Sequence, residues 1–312
     1  NNEWVNNATV NQTFYDCRNL KYIPYMPIRT SGGTVDFRNT FFNCLDLKAI
    51  PKGFSVKQVN SNGLQSTFLG TRECYDFSVI DLDSVTLGTN YSMYRAFQNL
   101  DSIRTFPYVG QFTKANNVRD MFVGGTQLER FSSDYTHLDF TNSSNLRGTF
   151  QSMENLKELP EIRITNLSHA SDGFYQTFYG CLSLRRVVIS GMTGNTSGEY
   201  YRTFYTNYSL IYIEGVDFSF ANDAGDMTQT FEACYNLNFI KFPGGPTDET
   251  GFKYSTTLQY CPFNRDAMLE IFNHLCTITH SATLDLRDNS YTADLTDADK
   301  LIATNKGWTL SL

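Results

Sequence analysis

The sequence predicts an α/β solenoid of about ten coils, each 25–29 residues long, with a parallel sheet along one face and a C-terminal cap. Three observations predict it. A motif met first as "TFYDCRNLKYIP" at 13–24 returns as "TFFNCLDLKAIP" at 40–51, "TFYGCLSLRRVV" at 177–188 and "TFEACYNLNFIK" at 230–241. Its aromatic anchor recurs at Phe14, Phe41, Phe68, Phe97, Phe122, Phe150, Phe178, Phe204 and Phe231, with Leu258 in the tenth place. Within each copy the apolar spacing changes from a helix-like period to a strand-like one.

The first part of each copy reads as a short helical turn. Four residues before the anchor stand Val10, Phe37, Leu64, Met93, Val118, Leu146, Phe174, Tyr200, Met227 and Tyr254, all apolar or aromatic. Thr precedes the anchor in eight copies, Ala96 and Met121 being the exceptions, and Cys follows it by three in five copies. These positions share one helical face. Six and nine residues after the anchor come pairs such as Leu20 and Ile23, Leu47 and Ile50, and Leu184 and Val187, which read as a short strand. Loops rich in Gly, Asn, Asp and Ser, such as "SGMTGNTSGEY" at 190–200, close the units. Strands stacked about 4.8 Å apart would make one sheet on the order of 45 Å long, with the helical turns on the opposite side.

Residues 1–262 therefore read as the repeat array and 263–312 as a capping segment. In the latter, Met268, Ile271, Phe272 and Leu275 mark a helix face and "ATLDLRD" a strand, while Thr296 and Gly307 bracket a second helix. A cap covers the apolar surface and strand edge of the last coil.

The "TFxxCxxLxxI" core resembles the "AFxxCxxLxxI" repeat of BspA-like leucine-rich-repeat surface proteins, and "MFVGGTQLERF" at 121–131 is similar to their Met-Phe variant. The likeness covers residues 10–262, with Thr here in place of Ala. It implies a leucine-rich-repeat solenoid and a non-enzymatic role in adhesion at a bacterial surface. The ending "LTDADKLIATNKGW" is similar to those of repeat proteins encoded by gut bacteria and their phages. That similarity implies an alternative, a virion tail or fibre protein that attaches to a host. Both place the chain outside the cell, on a bacterial surface or a virion.

Composition narrows the function further. Hydrophobic residues make up 41% and charged residues 18%, too apolar for disorder, and no run approaches the length of a membrane span. The net charge of −7 argues against nucleic acid as a partner and against a broad grip on anionic lipid. The start "NNEWVNN" reads as a processed product or a piece of a larger polypeptide or assembly.

No nucleophile elbow, phosphate loop or dinucleotide fingerprint occurs, so no catalytic residue or cofactor is expected. His274, Cys276 and His280 in "HLCTITH" lack a fourth metal ligand, and the acidic loops lack calcium-loop order, so no metal is expected either. Five of the seven cysteines fill the same inward position, which predicts buried free thiols.

The outward strand column carries the functional expectation. It contains Tyr22, Arg130, Glu158, Arg186, Tyr212 and Phe239, varied where the inward columns are uniform. Beside it Lys21, Lys48, Arg104, Lys157 and Arg185 form a candidate basic stripe, which equally serves to solubilise the sheet. Variation inside a repeating frame suits recognition of a protein or a cell-surface glycan.

Overall fold

The computed structural model describes residues 8–26, 33–86, 90–165, 173–192, 199–245 and 248–312. The opening stretch 1–7 and most of the 190–200 loop therefore lie outside the described residues. Parallel strand pairing dominates, and the two α-helices, α1 (Arg265–His274) and α2 (Asp297–Thr304), both follow the repeats.

Inside the stack the anchors make a continuous column. Nine Phe rings, from Phe14 to Phe231, lie nearly parallel with successive centroids 5.4–5.9 Å apart. Eight of them are buried, and Phe14, at the first unit, is half-buried. Offset stacking of this kind adds about 0.5–1.5 kcal/mol per pair to area burial.

The segment around each anchor is not the expected helical turn. It is a chain of overlapping turns: in the first unit Thr13 N–H donates to the Val10 carbonyl, Tyr15 to Gln12 and Cys17 to Phe14. The residues two before and two after the anchor have positive φ in all nine Phe-anchored units, for example Asn39 (53°) and Asn43 (53°), or Gln176 (53°) and Gly180 (71°). A left-handed residue in third place defines a type II-like turn and is incompatible with a continuing right-handed helix.

The reason lies between units. N–H groups at the anchor and two residues to either side donate forward, as Gln12 does to Arg38, Phe14 to Thr40 and Asp16 to Phe42, and the same three bonds recur at all eight junctions from Phe14 to Phe231. An α-helix would spend those donors within its own unit. The inward positions are nevertheless those the spacing predicts, because turns closed between residues three apart repeat the same face.

Thr before the anchor ties units together. The Thr149 hydroxyl lies 2.8 Å from the Leu146 carbonyl of its own unit and 3.1 Å from Val118 of the preceding one, and Thr40, Thr203 and Thr230 repeat both contacts. Cysteine does the same three residues after the anchor: the thiols of Cys44, Cys181 and Cys234 donate to Phe14, Phe150 and Phe204 carbonyls at 2.9–3.0 Å. All seven cysteines are free, and six are buried.

The opposite side is not one continuous sheet. The longest ladder has five parallel strands, His137–Asp139, Glu161–Arg163, Arg186–Ser190, Tyr212–Glu214 and Phe239–Lys241. Shorter pairs and single bridges occupy the earlier units, such as Thr105–Phe106 with Arg130–Phe131 and Ala49 with Asp76. Neighbouring units pair along this side for only two or three residues at a time. Tight corners end the long strands: a Cβ at Gly215 (φ 81°) would overlap the Ile189 carbonyl.

The C-terminal segment is built from both helices and a three-stranded parallel sheet in which Thr256–Thr257 pairs with Ala282–Asp285, and that strand with Trp308–Ser311. Met268, Ile271, Phe272 and Leu275 are all buried. Asn264 caps α1, and Thr296 with Asp299 forms a reciprocal capping box on α2. Arg265 joins the helices through two bonds to Asp299, at 2.8 and 2.9 Å.

Candidate interaction surface

The strands place the candidate column as its period requires, with alternate side chains outward. Tyr212 is in register with Arg186 on one side and Phe239 on the other. The Tyr212 and Phe239 rings stack at 6.0 Å, and the Arg186 guanidinium lies 4.9 Å from the Tyr212 ring centre. Glu214 organises this group: it accepts from Arg186 (3.0 Å), from the Tyr212 hydroxyl (3.0 Å) and from Lys241 (2.8 Å). The Lys241 hydrogen bond, with those of Tyr212 and Arg186, holds the Glu214 carboxyl below its ordinary range, while partial burial and Glu214 push the Tyr212 phenol up. Three of the six candidates thus form one ordered aromatic and cationic cluster.

Arg130 and Glu158 form a second, separate pair, bridged backbone to backbone and both exposed. Tyr22 stands apart on the first unit with 66% of its surface exposed.

The neighbouring column is interrupted by an acid. Glu129 occupies the same repeat position as Arg104 and Lys157 and pairs with both, at 3.2 and 2.9 Å, and lies 4.0 Å from Arg130. Lys48 pairs with Glu73 at 3.0 Å. Lys21 and Arg185 are exposed, and Arg185 lines a shallow depression with Lys157, Ser183 and Asn236. The organising acids Glu129 and Glu214 were missed by column reading, although Glu129 sits visibly in the basic column.

The His274, Cys276 and His280 side chains do not converge. Each turns to a different carbonyl, those of Glu270, Glu249 and Lys253. Among the described residues no group of three or more potential ligands could hold a metal ion, and no helix is long and apolar enough to cross a membrane. Burial pushes the Cys44, Cys74, Cys181 and Cys261 thiols up to about 12, which suppresses thiolate chemistry.

Fold and surface together define a repeat protein that displays side chains on a ladder of short parallel strands. A solved structure of a leucine-rich cell surface protein from Faecalibacterium prausnitzii aligns with 75% of this chain and 69% of its own, at 17% identity and a TM-score of 0.33. No family model and no curated protein matches the chain.

Proposed function

We propose that the chain is a non-enzymatic extracellular recognition module, a leucine-rich-repeat solenoid of about ten coils closed by its C-terminal segment, that holds a protein or cell-surface glycan on its strand face. The observation that carries this reading is the Arg186–Tyr212–Phe239 cluster, fixed by Glu214 across three registered strands. Arg and aromatic side chains held in place before binding contribute most of the energy of typical interfaces. The resemblance to BspA-like surface proteins supports the same role. Purified protein applied to glycan arrays and to arrays of extracellular proteins identifies the ligand. Replacing Arg130, Arg186 and Tyr212 together with Ala is then expected to weaken binding more than about tenfold, or 1.4 kcal/mol. Unchanged affinity in the triple variant, or glycan hydrolysis abolished by one carboxylate substitution, would overturn the proposal.

A further inference from the structure

The turn ladder that joins the nine units from Phe14 to Phe231 stops at the next junction. In the preceding junction Arg202, Phe204 and Thr206 donate to Thr228, Thr230 and Glu232. The equivalent donors, the N–H groups of Gln229, Phe231 and Ala233, have no main-chain acceptor among the described residues. Across from them Ser255, Thr257 and Gln259 make no main-chain bond to that unit, while Leu258 and Tyr260 donate away from it, to Asp285 and Arg287.

The cause is a change of backbone. Thr256–Thr257 is a strand, so Thr256 and Leu258 point inward and Thr257 is turned out, whereas Thr230 and Phe231 are both buried. Between the two backbones runs a groove of about 590 Å3, lined by Gln229, Glu232, Tyr235, Thr257, Gln259 and Tyr260. Its size lies within the roughly 300–1,000 Å3 of ligand sites. Beneath it the units remain in contact, with the Cys261 thiol 3.5 Å from the Cys234 carbonyl.

We propose that this groove binds an extended peptide segment of a second protein, which adds a rung between Gln229–Ala233 and Ser255–Gln259. The occupant follows from the pattern of free groups. Three donors at every second residue face a strand whose alternate residues turn their own N–H and C=O groups into the same space. An extended backbone has polar groups with that period, and unpaired edges pair with such segments. A glycan has no two-residue backbone period to match them. Tyr235 and Tyr260, each about half exposed, supply apolar contact at one end. This site is independent of the strand face.

The test uses the full chain. Nonapeptides selected from a random display library are synthesised, and amide exchange is read by NMR. In the free protein the Gln229, Phe231 and Ala233 amides are expected to exchange at least about a hundredfold faster than those of Arg202, Phe204 and Thr206, and to slow on peptide binding. N-methylation at alternate peptide positions should weaken binding at least tenfold, and at the intervening positions hardly at all. Thr257→Pro removes one groove-facing N–H at a strand position that tolerates proline, and Thr257→Trp fills the groove. Each should cost at least tenfold, with Tyr75→Ala, an exposed side chain on a distant unit, as a control that binds normally. Should both Thr257 variants fail to fold, the N-methyl series decides alone. Free amides already protected, no enrichment of peptides, an N-methyl series without alternation, or protection produced by oligosaccharides instead would overturn the proposal.

Discussion

At the scale of the residue, the Thr before each anchor is a two-way tie, and its absence from two units makes a test. Ala96→Thr would place a hydroxyl near the Met93 and Leu64 carbonyls and is expected to raise stability by about 0.5–1 kcal/mol, the net worth of a hydrogen bond. Thr149→Val should lower it by about 1–2 kcal/mol, because a buried carbonyl loses its donor. Thermal melting of both variants checks the pair. Phe150→Ala, in the middle of the ring column, should cost about 3–5 kcal/mol, against well under about 1 for the exposed Arg186→Ala. For the thiols, Ellman titration at pH 8 should find the half-exposed Cys17 reacting first and all seven reacting after denaturation without reductant. The Thr and Cys columns were legible in the sequence, and so was their burial. Their hydrogen bonds between units were not, since the accepting carbonyls lie 29 to 31 residues away.

At the scale of the element, a helical turn and a run of type II-like turns bury the same spacing, so apolar periodicity could not separate them. The separating signal lay two residues after the anchor, where Asp16, Asn43, Gly70, Asn99, Gly124 and Gly180 are the residue types that tolerate positive φ. It gives a test of opposite sign to helix propensity. Ala233→Gly should stabilise and Gly180→Ala destabilise, each by about 1 kcal/mol, whereas a helix would reverse both. In the C-terminal segment, Arg265, and after it the Thr296 N–H, hold the Asp299 carboxyl well below the usual carboxylate range. A depressed folded pKa contributes stability above the unfolded value near 3.9 and loses it as pH falls below that. The melting temperatures of the parent and Asp299→Asn should therefore differ most at pH 6 and converge towards pH 2. The Thr296 cap on α2 was readable in advance because capping is local in sequence, whereas the Asn264 cap on α1 was not read.

At the scale of the whole molecule, the outward strand column could be read from alternation, but not which of its members meet. Arg186, Tyr212 and Phe239 assemble because three adjacent strands share one register, while Arg130 and Glu158 share only an isolated bridge and Tyr22 lies outside the strands. Ladder length depends on how neighbouring units align, and no single unit encodes that. Removing residues 263–312 should give aggregation instead of a shorter monodisperse protein, because Thr256–Thr257 would lose its partner strand and Phe239–Lys241 its contact with α1. Light scattering of the truncated chain checks this.

The three rungs around each anchor run one way, although bonds such as Asp46 to Arg18 and Ser209 to Leu182 run back, and the excess gives the stack an electrical axis. Forward-pointing N–H groups leave partial positive charge at Gln229, Phe231 and Ala233, and the carbonyls of Asn11, Thr13 and Tyr15 face the other end. Aligned peptide dipoles add, as they do along a helix, whereas those of ordinary strands largely cancel. The array therefore carries a permanent backbone dipole along its own length, which adds to the orientation of dissolved molecules in an applied field.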